Sequence, residues 1–288
     1  MSTKSKDFVC GWGAALIETS CTYPFSKIVV RQQLLGLCVS EAFQQLRTEG
    51  TAHLYRGLLP PLLQRTSSRC IMFGMYDEYK RIFSCSTSGS FTRCHAGAAF
   101  LAGCTEAVLC PFERVQTLLQ SSKYYGQYKN ALDVFLKLRR ISLREYYRGL
   151  SAVVLRNGGS NVLFFSLRDP LKEIFTSRTK HLFRETNFSD SSHMKHIVGD
   201  LFTGLFLGAF ISTVFFPINV MKTRMQASVG VPFTSIWSTF RIVFAERGYS
   251  FRKLYRGVHI NYTRSMITWG ITNAAYEFLE RHLYHDHM

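Results

Sequence analysis

A unit that occurs three times along this chain constrains its fold more than any other feature. Each unit begins with a proline near the end of an apolar stretch, followed nine residues later by a glutamine; the prolines are Pro24, Pro111 and Pro217. A second marker, an aromatic residue followed by Arg-Gly, places its arginine 32, 37 and 39 residues after these prolines. Two markers repeated in the same order indicate a repeat architecture. We predict three units, at residues 1–90, 91–185 and 186–288, each with two long helices and an amphipathic connecting helix.

The prolines also predict how the helices are arranged. Proline inside a helix removes a backbone hydrogen bond and bends the helix axis. Three equivalent bends would bring three helices together at one end of a barrel. The predicted fold is therefore all-α, with six long helices around a threefold funnel.

Apolar stretches place this bundle in a membrane. Residues 201–221 contain no charged side chain, and this length matches the roughly 20 residues that a helix needs to cross a bilayer. Residues 94–110 are interrupted only by His95 and Glu106, and residues 150–167 only by Arg156. The mean hydropathy of +0.01 is low for a membrane protein, which is expected if many helix faces line an aqueous cavity.

The excess of basic residues limits the classes of binding partner that this chain is expected to have. The chain has 35 Lys plus Arg against 19 Asp plus Glu, a formal charge of +16, which favours nucleic acid, anionic lipid or a phosphorylated solute. A soluble RNA-binding repeat protein would explain the charge, but residues 201–221 are hard to keep in water. All eight cysteines precede residue 111 without a CxxC pair, so we predict neither a zinc site nor a disulfide framework. No phosphate loop, metal-ligand spacing or nucleophile–base pair indicates an enzyme.

The repeated motifs resemble the mitochondrial carrier family, whose signature is Pro-x-acidic-x-x-basic-x-basic followed by aromatic-basic-Gly. The resemblance covers nearly the whole chain and implies a multi-pass, monomeric carrier of the mitochondrial inner membrane with alternating access and no nucleic-acid partner. Leu-Tyr-Arg-Gly-Leu-Leu-Pro-Pro at 54–61 and Pro-Phe-Glu-Arg-Val-Gln-Thr-Leu-Leu-Gln at 111–120 are similar to family members that carry NAD in animals. The implied substrate is NAD, moved from cytosol to matrix. Two alternatives stay open. The substrate could be an adenine nucleotide or coenzyme A, or the chain could be a partner protein with the carrier fold that does not transport.

The resemblance also implies two gates. Neutral residues occupy four of the charged matrix-side positions: Ser26, Val29, Gln116 and Asn219. Only Glu113 and Lys222 are left to form an ion pair there, so we expect a weak gate that permits uniport as well as exchange. The cytoplasmic-side network is expected from Asp77, Lys80, Asp169, Lys172 and Glu277.

The family's substrate contacts lie seven or eight residues after each Arg-Gly marker. The matching positions that we expect to bind substrate are Gln64, Arg65, Arg156, Asn157 and Arg264. Arginine at mid-membrane is costly unless it faces water or a partner, and guanidinium groups bind phosphate oxygens through paired hydrogen bonds. Glu106 is predicted to join this site, as an acid that offsets the arginines or accepts ribose hydroxyls. Pairing of the arginines with Glu106 or with backbone carbonyls remains the structural alternative.

The Arg-Gly markers themselves begin helices, whose N-termini favour anions. In the family, such positions resemble sites for the cardiolipin headgroup. The predicted lipid-binding residues are Arg56, Gly57, Arg148, Gly149, Arg256 and Gly257. No other cofactor and no metal is expected.

Overall fold

The protein is described here by a computed structural model that covers residues 3–48, 55, 58–85, 91–124, 126–185, 192–264, 267–268 and 271. The described part contains helices and no strand, which agrees with the all-α prediction. Its α-helices are α1 (Thr3–Leu35), α2 (Val39–Thr48), α3 (Leu59–Ile82), α4 (Arg93–Glu106), α5 (Cys110–Gln120), α6 (Ala131–Ile141), α7 (Leu150–Glu185), α8 (Ser192–Val214), α9 (Phe216–Gln226), α10 (Ile236–Glu246) and α11 (Phe251–Leu254). Residues 258–264 are also helical.

The repeated prolines act differently in the three units. Pro217 lies at the start of α9, and α8 and α9 meet at an angle of 62°. Pro111 lies at the start of α5, after a 3₁₀ turn at Ala107–Leu109 that separates it from α4. Pro24 lies inside the continuous helix α1. A bend at the proline is therefore observed directly in the third unit, and a local change of helix type in the second.

Two segments of the described chain are long and apolar enough to cross a membrane. One is Arg93–Gln120, and the other is the bent pair Phe202–Val214 and Phe216–Gln226 if it is counted as one span. The membrane-spanning segment that we predicted at residues 201–221 thus lies within the bent pair of helices α8 and α9. The other long helices carry more polar residues, as expected for helices that face a cavity.

Helix α4 packs closely between α3 and α7 because the residues on its contact face have small side chains. Ala98, Ala99 and Ala102 are fully buried there. At Gly103 a Cβ atom would lie 2.5 Å from the backbone nitrogen of Gly158 on α7, so only glycine permits this approach.

Aromatic side chains fill the space beside this small face. Tyr76 of α3 stacks on Phe165 of α7 with ring centroids 3.7 Å apart, and Phe73 meets Phe165 edge-on at 5.7 Å. We call this the upper end of the bundle, where α3 finishes and α4 begins. The lower end is where α1, α5 and α9 finish.

The structure corrects the cysteine prediction at the upper end. Cys85, just past α3, and Cys94, on the first turn of α4, form a disulfide with their Cα atoms 5.7 Å apart. The spacing of nine residues matches no common sequence motif, and the bond forms because the ends of two packed helices bring the residues together.

Candidate substrate cavity and gate

A polar cavity of about 290 Å³ lies in the centre of the bundle. Side chains from all three units line it. They include Ser26, Gln33, Gln64, Arg65, Ser68, Glu113, Gln116, Arg156, Ser212, Asn219, Lys222, Asn261 and Arg264. Four of the predicted contact residues, on three different helices, therefore face one space although they are far apart in sequence: Gln64, Arg65, Arg156 and Arg264.

Glu113 connects the predicted contact residues with the predicted gate. Its carboxylate is 6% exposed and accepts from Arg156 Nη2 at 2.5 Å and from Lys222 Nζ at 3.0 Å. Gln64 Nε2 donates to the same oxygen as Arg156, at 2.6 Å. The predicted pair of Glu113 and Lys222 is formed, but the carboxylate has partners from all three units, so this end of the cavity is closed by more than one ion pair.

Arg65 is held by an acid of the first unit. Its Nη1 forms a salt bridge with Glu18 Oε1 and lies 3.4 Å from Thr19 Oγ1. Glu18 precedes Pro24 by six residues, much as Glu106 precedes Pro111 by five. By that similarity the sequence offers Glu18 as a weaker analogue of Glu106.

Arg264 is held by a neutral side chain. Its Nε and Nη2 donate to Asn261 Oδ1 at 3.3 and 3.0 Å, and the amide of Asn261 donates to Ser212 on α8. The three arginines thus pair with Glu18, Glu113 and Asn261, rather than with Glu106 or with backbone carbonyls. Because Asn261 is one helical turn before Arg264, this pair could have been found from the sequence.

Two other predicted contact residues lie behind the cavity wall. Glu106 accepts a hydrogen bond from Ser68, and it is Ser68 that lines the cavity. Asn157 is buried against α4, next to Gly103, and does not belong to the lining. Consecutive helical residues point about 100° apart. Gln64 and Arg65 both reach the cavity despite this difference, whereas of Arg156 and Asn157 only Arg156 lines it.

Polar pairs join the units below Glu113. Thr223 Oγ1 donates to Gln33 Oε1 at 2.8 Å, and Thr117 Oγ1 donates to Gln226 Oε1 at 3.1 Å. Two of the glutamines that follow the repeated prolines by nine residues, Gln33 and Gln226, therefore connect adjacent units at the lower end, whereas the side chain of Gln120 is buried without a hydrogen-bond partner among the described residues.

One pair of the predicted network at the upper end lies within a single helix. Lys80 pairs with Asp77 of α3 at 2.8 Å. Asp169 and Lys172 lie three positions apart on α7, and Glu277 lies outside the described residues.

The Arg-Gly markers take part in contacts between units. Arg148 is 3% exposed, and its guanidinium binds Glu145 and the carbonyls of Val231 and Pro232. This occupied, buried guanidinium is poorly placed for the lipid role that we predicted. Arg256 is exposed and donates to the carbonyl of Gly36 at 2.8 Å. Arg56 and Gly57 lie outside the described residues.

The marker glycines are required by the backbone. Gly149 and Gly257 have φ angles of 82° and 96°, which favour glycine. A Cβ atom on Gly149 would lie 3.2 Å from Gln226 Cγ, and one on Gly257 would lie 2.7 Å from Gln32 Oε1. Both glycines therefore let a glutamine of another unit pack against the start of the helix.

Three helical units around a polar cavity, joined at one end by polar and charged side chains from every unit, define a transporter of small solutes. A family model for mitochondrial carrier proteins matches residues 2–87, 88–179 and 193–287. The chain belongs to the mitochondrial carrier family, whose members are multi-pass proteins of the mitochondrial inner membrane.

Individual relatives match over most of the chain. The mitochondrial nicotinamide adenine dinucleotide transporter SLC25A51 of Mus musculus is 44% identical over 276 residues, covering 95% of this chain and 88% of that protein. The protein of the same name in Homo sapiens is 43% identical over 274 residues, with the same coverage of both chains. The mitochondrial nicotinamide adenine dinucleotide transporter SLC25A52 of Homo sapiens is 42% identical over 274 residues, again with this coverage.

Proposed function

We propose that this protein carries NAD from the cytosol to the mitochondrial matrix by alternating access. The names of its relatives identify them as transporters of this dinucleotide. The observation that carries the proposal is that Arg65, Arg156 and Arg264 line one cavity. A pyrophosphate offers several oxygens that guanidinium groups bind through charge-assisted hydrogen bonds.

The present partners of the arginines support this assignment. Glu18, Glu113 and Asn261 offer oxygen acceptors to the three arginines. Phosphate oxygens can replace these acceptors without leaving a guanidinium unpaired, and pairing is what makes a charge tolerable in a membrane. The exchange of a protein acceptor for a phosphate oxygen thus keeps the cavity neutralised while substrate enters.

We also propose cardiolipin as a bound lipid and the monomer as the transporting unit. Arg256 is exposed at the start of a helix on the lower end, where a basic group and a helix N-terminus together favour an anionic headgroup. The cavity lies within one chain, so transport requires no second copy.

The test is uptake of labelled NAD, ADP and coenzyme A into liposomes that contain the purified full-length protein. Arg156→Ala should abolish NAD uptake, because its side chain lines the cavity. Arg140→Ala is the matched control, since Arg140 is exposed on α6, and its uptake should equal that of the wild type. Uptake of ADP or coenzyme A in place of NAD would overturn the substrate, and absence of any uptake would favour a non-transporting role.

A further inference from the structure

The disulfide between Cys85 and Cys94 crosses the boundary between the first two units. Cys85 follows the last helix of the first unit, and Cys94 lies on the first helix of the second. Their Cα separation of 5.7 Å is within the usual range for a disulfide. Cys21, Cys38, Cys70, Cys104 and Cys110 are free thiols.

The end of α3 fixes the position of Cys85. The N–H of Ser84 donates to the carbonyl of Arg81, and the N–H of Cys85 donates to that of Lys80 at 3.0 Å. Ser84 has a φ of 48°, a left-handed conformation that usually belongs to glycine at a helix C-terminus. This turn redirects the chain immediately before the cysteine.

The start of α4 fixes the position of Cys94 in the same way. Thr92 caps the helix, and its hydroxyl lies 2.7 Å from His95 Nδ1 while its N–H donates to the same nitrogen at 3.3 Å. Both cysteines are thus attached to capped helix ends. Their separation is set by the packing of two helices, so the thiols stay close together when the bond is reduced.

The interface below the disulfide combines small residues of α4 with larger apolar side chains of α3. On α4 it consists of Ala98, Ala99 and Ala102, which meet Tyr76 of α3. Methyl groups provide dispersion contacts but no interlocking side chains. Tyr79 and Thr105 share a hydrogen bond of 2.9 Å further along. A covalent bond at the end of this interface therefore limits the movement of one unit against the other.

We propose that Cys85 and Cys94 are a reversible redox modification site that slows transport when the disulfide is formed. The co-reactant is a small disulfide such as glutathione disulfide. One cysteine thiolate attacks it and releases one glutathione thiol, and the second cysteine then attacks the mixed disulfide and releases another. Two thiols are oxidised and one disulfide is reduced. Both cysteines are partly exposed, so a small thiol reagent reaches them.

The effect on transport rests on the proposed function, which requires the units to move against each other at the upper end. The disulfide lies outside the cavity lining, so it changes the conformational step and not substrate binding. Oxidation should lower Vmax about threefold or more, as expected when a conformational step limits turnover. KM should stay unchanged.

The experiment compares full-length protein in liposomes after treatment with glutathione disulfide or with excess glutathione. Alkylation and mass spectrometry read the state of Cys85 and Cys94, and uptake of NAD is measured in parallel. Cys85→Ser and Cys94→Ser should take up NAD at the rate of the reduced wild type, and their uptake should be the same after either treatment. Cys70→Ser, which removes an exposed free thiol of α3, should keep the response of the wild type.

A second readout separates this proposal from the choice of substrate. Hydrogen–deuterium exchange at the end of α3 and the start of α4 should be slower in the oxidised protein, and this measurement needs no substrate. Equal exchange, or equal uptake by an active protein in both redox states, overturns the redox site. Slower exchange on oxidation, in a protein that takes up no NAD under any condition, supports the restraint and overturns the proposed substrate instead.

Discussion

Arg156 Nη2 donates to Glu113 Oε1 at a distance of 2.5 Å, so a predicted substrate-binding arginine and a predicted gate carboxylate are bound directly to each other. Gln64 donates to the same oxygen, and Lys222 donates to the other. A phosphate that attracts Arg156 must therefore compete with the carboxylate that closes the lower end. Under the proposed function, substrate binding by Arg156 and opening of the lower end therefore depend on the same carboxylate.

The shared acceptor predicts unequal effects of two variants that remove the same ion pair. Glu113→Gln takes the charged partner from both Arg156 and Lys222, and breaking a buried pair in this way costs about 3–5 kcal/mol. Lys222→Gln leaves Arg156 and Gln64 bound to Glu113, so its cost should be about 1 kcal/mol, within the range of a single hydrogen bond. Thermal unfolding of the purified variants measures the difference. Equal losses of stability would show that Arg156 and Gln64 do not support the carboxylate.

The close approach of α4 and α7 leads to a second prediction. Gly103→Ala would place a methyl group 2.5 Å from the backbone of Gly158, and such overpacking costs about 1–3 kcal/mol. Gly97 lies on the same helix with no atom within 4 Å of its would-be Cβ. Gly97→Ala should therefore stabilise the protein by about 0.5–1 kcal/mol through its higher helix propensity. The melting temperatures of the two variants provide the comparison. A lower melting temperature for both variants would mean that any alanine in α4 destabilises the protein, and that the close approach at Gly103 is not the cause.

The sequence predicted the parts of the site that depend on position along a helix. The repeats identified the lining arginines and the pair of Glu113 and Lys222, because each occupies a fixed place relative to a repeated marker. The direction of a side chain depends on how a helix is rotated against its neighbours. For that reason Asn157, one residue after Arg156, was predicted to bind substrate but is buried outside the cavity lining.

The contacts between units were harder to predict than the units. The bond between Cys85 and Cys94 requires two helix ends to meet, and no periodic pattern indicates where they do. Arg148 was predicted to bind lipid because it begins a helix, yet Glu145 and carbonyls of the third unit surround its guanidinium. A motif indicates that an arginine is present at a helix start, but packing decides which group it binds.

A buried charge cluster at the lower end predicts a large loss of stability. Glu145 binds Arg114 at 2.5 Å and Arg148 at 2.6 Å, and all three side chains are nearly inaccessible. Glu145→Gln would leave two buried guanidinium groups without a carboxylate, which costs about 3–5 kcal/mol. Glu78→Gln is the control, since Glu78 pairs with Arg81 on the surface of α3 and exposed pairs contribute about 1 kcal/mol or less. Unfolding of both variants in the same detergent tests this, and a small effect of Glu145→Gln would mean that backbone carbonyls alone satisfy the arginines.

The salt bridge between Glu18 and Arg65 predicts a gain in affinity, given that NAD is the substrate. Glu18 competes with the substrate phosphates for Arg65. In Glu18→Gln the arginine keeps a neutral acceptor, so a phosphate no longer has to displace a carboxylate. Arg65 is about one-third exposed, and pairs accessible to water contribute about 1 kcal/mol or less. The KM for NAD should therefore fall by up to about fivefold, with Glu41→Gln on the exposed face of α2 as a control without effect. Initial uptake rates over a range of NAD concentrations measure this change. A rise in KM would instead identify Glu18 as a ligand of the substrate, and the acid would then act with the arginines and not against them.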